Sequence, residues 1–225
     1  MITAEHLTKS FHDGEGEIRP VKNVSLEIPN GQFLSVVGRS GSGKTTLLKM
    51  LGGLLRPTEG AVLIDGEDLY EMSDRAMADY RSNRIGFVFQ EYLLEEAFTV
   101  EQNIEIALMI AGTAEKERRE LITNALEQVG MEHKRTTKVG VLSGGEKQRV
   151  SIARAIVNHP SVIFADEPCG NLDYENGVNI MKLLREQCRQ GRTVVLITHN
   201  RDDALVTDRI VTLKDGAVVR DEMLG

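Results

Sequence analysis

The sequence contains no tryptophan, and four tyrosines with six phenylalanines hold its aromatic content to 4% of 225 residues. Basic charge is also scarce, since 27 Lys and Arg stand against 34 Asp and Glu, for a formal net charge of −7. A general nucleic-acid surface needs phosphate-neutralising cations and base-stacking rings, and both are in short supply. No nucleic acid is therefore expected among the ligands. Thiols are limited to Cys169 and Cys188, too few for a disulfide framework or a zinc cluster, and both read as structural thiols in a reducing cytosolic setting. Long apolar runs are missing too. The longest uncharged one, Ile106 to Gly112, falls far short of a bilayer. Glu5, His6 and Lys9 stand where a secretory leader would need apolar residues. The chain is not expected to cross a membrane, which leaves a membrane partner open.

What is present is the balance of a soluble globular fold, 41% hydrophobic and 27% charged, in a length that suits one or two domains with a sizeable core. The first third reads as β-rich. Short apolar runs at Val24 to Ile28, Phe33 to Val37 and Ala61 to Ile64 are separated by the turn pairs Asn30-Gly31 and Asp65-Gly66. From about Glu91 to Pro160 the pattern turns helical, with Leu121, Ala125 and Val129 at one-turn intervals. Beyond it, apolar Val162 to Ala165 and Thr193 to Ile197 flank a helix carrying Val178, Met181, Leu184 and Cys188 on one face. That alternation predicts buried parallel strands in an α/β fold. A hairpin around Asp215-Gly216 closes the pattern.

The run Phe33 to Val37 leads directly into Gly38, Arg39, Ser40, Gly41, Ser42, Gly43, Lys44, Thr45 and Thr46, and then into a helical pattern ending at Gly52-Gly53. This is the P-loop arrangement, in which backbone N–H groups wrap phosphate oxygens and the helix presents its positive end to the anion. Lys44 is placed to reach β- and γ-phosphates, and the Thr45 hydroxyl to bind Mg²⁺. The plain alternative is a ligand-free glycine turn. Asp166 and Glu167 end an apolar strand, a position that faces ligand in open α/β sheets. Asp166 suits a metal-holding role and Glu167 suits orienting or deprotonating water, although two acids can also simply begin a solvated loop.

Leu142-Ser143-Gly144-Gly145-Glu146 has a modest reading as well, because Ser143 and Glu146 form the spacing of a capping box. The two glycines are a poor choice for a first helical turn, each costing up to about 1 kcal/mol relative to alanine. They predict close approach of an anion to the helix start, a second phosphate site.

At these residues the chain resembles the ATP-binding cassette family, and the resemblance runs over almost its whole length. It implies a RecA-like P-loop NTPase core with an N-terminal antiparallel β subdomain and an inserted α-helical subdomain. The expected division places residues 1–90 and 161–225 in the core and 91–160 in the helical part. It further implies that Ser143, Gly144, Gly145 and Glu146 contact the γ-phosphate bound by a second copy, so that a homodimer encloses two ATP molecules. By the same resemblance Gln90 contacts Mg²⁺ and the attacking water, His199 contacts the γ-phosphate, and Asp173 in Asn171-Leu172-Asp173 crosses the dimer interface. Lys44, Gln90, Glu167 and His199 thus form the implied catalytic set, and Thr45, Gln90 and Asp166 the metal set. Phe11 falls where an aromatic ring underlies adenine, usually a tyrosine, though a core role is nearly as natural for it. Cys169 stands where Thr or Ser is usual, which implies a lost or weakened hydroxyl hydrogen bond.

Tyr92, Leu93, Leu94 and Phe98 read equally as core or as the wall of a groove that receives a short helix of a membrane subunit. Lys134, Arg135 and Lys138 make a small basic patch, more simply a solvated face. The wording Gly170-Asn171-Leu172-Asp173 is similar to the branch of macrolide-exporter, lipoprotein-releasing and cell-division ATPases. The implied function is the cytoplasmic ATPase subunit of a transporter, held at the inner membrane face by a separate permease. A DNA-repair or ribosome-associated ATPase of the same family is the alternative.

Overall fold

The computed structural model describes residues 1–14 and 16–224. Two long strands open the chain, β1 (Ile2–Asp13) and β2 (Gly16–Ile28), and β3 (Phe33–Val37) follows with helix α1 (Lys44–Leu51) behind it. After β4 (Glu59–Ile64) and the short β5 (Glu67–Asp68) come α2 (Asp74–Arg84) and β6 (Ile85–Phe89). Three helices fill the next stretch, α3 (Val100–Ile110), α4 (Glu115–Val129) and α5 (Gly144–Ile156). The chain ends with β7 (Val162–Asp166), α6 (Tyr174–Arg189), β8 (Thr193–Thr198), α7 (Arg201–Leu205), β9 (Arg209–Lys214) and β10 (Ala217–Met223).

These strands form two sheets. The smaller is antiparallel in the order β2-β1-β4-β5, and the expected turn at Asp65-Gly66 joins β4 to β5 as a hairpin, with Asp65 at φ 52° and Gly66 at φ 92°. The larger runs β10-β9-β3-β8-β7-β6, with β6, β7, β8, β3 and β9 parallel and β10 returning antiparallel. Its register sets Val37 beside Thr198, Ile197 beside Asp166, and Asp166 beside Phe89. The residues that follow, Gly38, His199, Glu167 and Gln90, consequently leave the sheet along one carboxyl edge.

Strand periodicity divides the core. In β8, Val194 and Leu196 join an apolar cluster with α3, α4, α5 and α6, whereas Val195 and Ile197 join a second with α1 and the small sheet. β7 splits the same way, Ile163 and Ala165 on one side and Val162 and Phe164 on the other. Such double burial is why these strands are apolar throughout. The helices of 91–160 therefore pack on the sheet through a shared core. In α6 the buried face is Gly177, Ile180, Met181, Leu184 and Cys188, and Val178 lies half-buried at its margin.

Candidate nucleotide-binding site

The loop between β3 and α1 needs glycine for reasons of space as well as rotation. Gly43 sits at φ 99°, and a Cβ there would lie 1.9 Å from the Pro20 carbonyl oxygen. At Gly38 a Cβ would lie 2.3 Å from the Leu213 carbonyl oxygen. Backbone packed this closely is held in one conformation, with the N-terminus of α1 behind it and no side chain capping that end. The buried Lys44 turns back across the loop, where its Nζ donates to the carbonyls of Gly38 (2.9 Å) and Arg39 (3.0 Å). Ser42 Oγ is buried without a hydrogen-bond partner.

At the next residue of α1, Thr45 Oγ1 donates to Asp166 Oδ1 at 3.1 Å. Burial pushes the Asp166 carboxyl above its ordinary value, and the Thr45 hydrogen bond opposes that shift. A hydroxyl and a carboxylate side by side are hard oxygen donors, the chemistry Mg²⁺ takes alongside phosphate oxygens and water. Among the described residues no cluster of three His, Cys, Asp or Glu forms an all-protein metal cage. The residues therefore fit a metal that arrives with phosphate.

Glu167 leaves β7 at φ 47°, a left-handed conformation that is uncommon for a residue with a side chain. Its backbone N–H donates to the Ile197 carbonyl at 2.9 Å, and Oε2 lies 2.9 Å from His199 Nδ1. The His199 ring is otherwise exposed. Near it is a carboxyl with no signal in the local sequence. Asp203, on α7, is half-buried and pushed above its ordinary value by that burial, and it accepts from Thr198 Oγ1 at 3.4 Å.

Gln90 faces the same edge, where its Nε2 donates to Asn171 Oδ1 (3.1 Å) and Asn171 Nδ2 donates back to the Gln90 carbonyl (3.0 Å). Gly170 admits this pair, since a Cβ there would be 2.8 Å from Gln90 Nε2. Residues Gly38 to Thr46, Gln90, Glu167 and His199 together line one open cleft of about 1230 Å³, which Asp166 joins through Thr45. Pro20, Arg201, Thr212 and Arg220 also line it. Pro20 and Arg220 carried no local signal, because strand pairing brings them in from distant parts of the chain.

Six expected ligands do not line that cleft. Ser143 caps α5 and Glu146 answers it, accepting from Ser143 N (2.9 Å) and Ser143 Oγ (3.0 Å), so the capping box is present. Gly145 has a further reason to be glycine that spacing could not reveal: a Cβ would lie 2.5 Å from Asn176 Oδ1 on α6. Gly144 faces Tyr92, whose hydroxyl would lie 3.0 Å from a Cβ. Asp173 caps α6 by accepting from Asn176 N at 2.9 Å. Phe11 lies on β1, 44% exposed, with Lys9 Nζ 5.2 Å from its ring centre, and it is not among the cleft-lining residues.

The remaining ambiguities resolve locally. Cys169 is pushed up to about 12 by burial, and its Sγ lies 3.6 Å from the Gly177 carbonyl, so it is an inert thiol. Leu93 and Phe98 are exposed and Leu94 packs on the core. Of the basic patch, Lys134 pairs with Glu146 (3.7 Å) and Arg135 with Glu101 (2.5 Å). Among the described residues no helix is long and apolar enough to cross a membrane.

A parallel sheet whose carboxyl edge carries a P-loop, an acid pair and a glutamine defines a P-loop nucleotide hydrolase. The family model for ABC transporters matches residues 21–170, and the chain belongs to that family. It is 41% identical to the lipoprotein-releasing system ATP-binding protein LolD of Shewanella frigidimarina, over 96% of this chain and 91% of that protein. It is 38% identical to the macrolide export ATP-binding/permease protein MacB of Mannheimia succiniciproducens, over 98% of this chain but only 34% of MacB. The chain thus spans about a third of that relative's length. Among solved structures, a dimeric post-hydrolysis state of the ATP-binding cassette MJ0796 bound to ADP and phosphate superposes with a TM-score of 0.92. It shares 40% identity, covering 100% of this chain and 99% of that one.

Proposed function

We propose that this chain is the ATP-hydrolysing subunit of a membrane transporter, working as a pair of copies that close on ATP and move a separate permease. The carrying observation is the carboxyl edge of the large sheet, where four parallel strands deliver the P-loop, Gln90, Glu167 and His199 to one cleft. Family membership and the ADP-bound relative support ATP as the nucleotide.

In this reading the N–H groups of residues 38–46 and Lys44 bind the β- and γ-phosphates. Thr45 and Asp166, with Gln90 beside them, would hold Mg²⁺, which when bound neutralises charge on the phosphates. Glu167 orients the attacking water in line with the γ-phosphate and takes its proton. His199, held by Glu167 Oε2, turns its exposed ring edge to the γ-phosphate. Phe11 remains the proposed adenine platform, consistent with an exposed ring at the end of the small sheet.

Ser143, Gly144, Gly145, Glu146 and Asp173 lie outside their own chain's cleft, which supports a role against the cleft of a second copy. The dimeric relative makes the same assembly reasonable here. We assign 91–160 as the helical part and 1–90 with 161–225 as the core. Exposed Leu93 and Phe98, just after Gln90, suit a permease contact that would hold the chain at the inner membrane face. Export and lipoprotein release in the relatives' names favour transport over DNA repair or ribosome work. In Glu167→Gln, ATP binding should persist, hydrolysis should fall by about 10²-fold or more, and gel filtration should show an ATP-dependent dimer. A variant that stays monomeric and hydrolyses at the parental rate refutes the assignment.

A further inference from the structure

We propose that Gln148 is a positioning residue for hydrolysis, tying the helix that begins at Gly144 to the two backbone points that carry Gln90 and Glu167. The inference rests on the ATPase reading above and adds a residue that touches neither nucleotide nor water.

Gln148 lies on α5, one turn beyond Gly144 and Gly145, and is wholly buried. Its Nε2 donates to the Pro168 carbonyl at 2.8 Å and to the Phe89 carbonyl at 3.4 Å. Phe89 immediately precedes Gln90, and Pro168 immediately follows Glu167. A single amide therefore spans the ends of two neighbouring strands, β6 and β7, at the points where the chain departs toward the cleft.

The same amide leaves its Oε1 buried without a partner. An unpaired buried acceptor costs about 1–3 kcal/mol, about what methionine would incur instead by leaving the Pro168 carbonyl without its donor, so fold stability alone does not select glutamine here. Its two donors both meet carbonyl oxygens, which also settles which end of the amide faces the strands. The far end of α5 is fastened as well. A Cβ on Gly86 would lie 2.4 Å from the Ala155 carbonyl oxygen, so helix and β6 are in close backbone contact there. Held at Ala155 and at Gln148, α5 moves with the strand ends. When a second copy's nucleotide meets Ser143 and Gly144, any shift of α5 is passed to Gln90 and Glu167.

The test compares parent, Gln148→Met and Ser151→Ala by steady-state ATP hydrolysis, ADP affinity by calorimetry, and melting temperature. Ser151 lies one turn further along α5 and its buried Oγ is also unpartnered, so it controls for disturbance of the helix itself. Gln148→Met should lower kcat by about 10- to 100-fold, the loss expected for misplaced catalytic groups, with ADP affinity and melting temperature close to parental. Ser151→Ala should keep the parental kcat. The inference is overturned by a Gln148→Met kcat within about threefold of parent, by ADP affinity falling in step with kcat, or by equal slowing in Ser151→Ala. Should the methionine variant not fold, Gln148→Leu is judged by the same split, and failure of both to fold shows a structural role and overturns it too. An inert parent overturns the ATPase reading and this inference with it; an active parent with an unslowed Gln148→Met overturns this inference alone.

Discussion

At the end of β7 the Asp166 carboxyl is pushed above its ordinary value of 3.8 by burial, with Thr45 pulling the other way. A raised acid pKa means the fold disfavours the charged form, so stability falls as pH rises through the raised value, and the deficit persists at neutral pH. Asp166→Asn should therefore raise the melting temperature of the nucleotide-free chain at pH 7. That advantage should shrink as pH falls toward 3.8, and ATP turnover should drop by about 10²-fold or more. A melting temperature that falls on substitution would show that the carboxylate is well accommodated without a cation. Glu167 also works against local preference, since its left-handed φ of 47° is unfavourable for a residue with a side chain. Neither property is visible in the letters Asp-Glu. Burial by neighbouring strands produces the first and the turn out of β7 the second.

Elements differ in how clearly the sequence announces them. The succession of β3, glycine loop and α1 is legible because an apolar run, a spaced glycine pattern and a helical stripe occur in order. Helix α2 is hard to read in a strand-rich stretch because its apolar face is only Met77 and Tyr80, partly buried against the core; its clearest local mark is Ser73, whose Oγ accepts from Ala76 N. β1 carries no clean strand pattern because His6 enters the left-handed region at φ 49° and the pairing shifts between Ala4 and Leu7, which breaks the alternation. Tertiary pairing also secures the start of α3, where Arg135 donates to Glu101 and holds its carboxyl below the ordinary value of 4.5. A depressed acid pKa contributes stability that is present above 4.5 and lost as pH falls through the lowered value. Glu101→Gln should cost about 1 kcal/mol at pH 7, a charge-assisted pair at a partly exposed site. In urea unfolding the gap from parent should close in acid; an equal gap at both pH values would rule out the ionic origin.

For the whole molecule, the arrangement that matters is the separation of Ser143, Gly144 and Asp173 from the cleft that holds Lys44. If two copies meet about a two-fold axis, each cleft takes its P-loop from one chain and its Ser143 segment from the other. Lys44→Ala and Ser143→Arg, each inactive alone, should then complement when mixed, because a mixed dimer retains one intact site. Random pairing should restore about a quarter of the parental sites. A mixture as inactive as its components would place the Ser143 segment outside the partner's cleft.

By itself the sequence determined the chemistry on offer: a glycine loop able to wrap phosphate, two acids at a strand end, and a glycine-marked helix start. Each is written in contiguous residues, and local backbone geometry is enough to read it. Only the tertiary structure decided that Gln90, Glu167 and His199 share one edge with the P-loop, because parallel strand register aligns segments far apart in the chain. It also decided that Gly145 answers to Asn176, that Gln148 spans two strand ends, and that a half-buried Asp203 accepts from Thr198 beside the cleft edge. Those relations depend on which surfaces meet when the helices pack on the sheet, and no local pattern in the sequence encodes them.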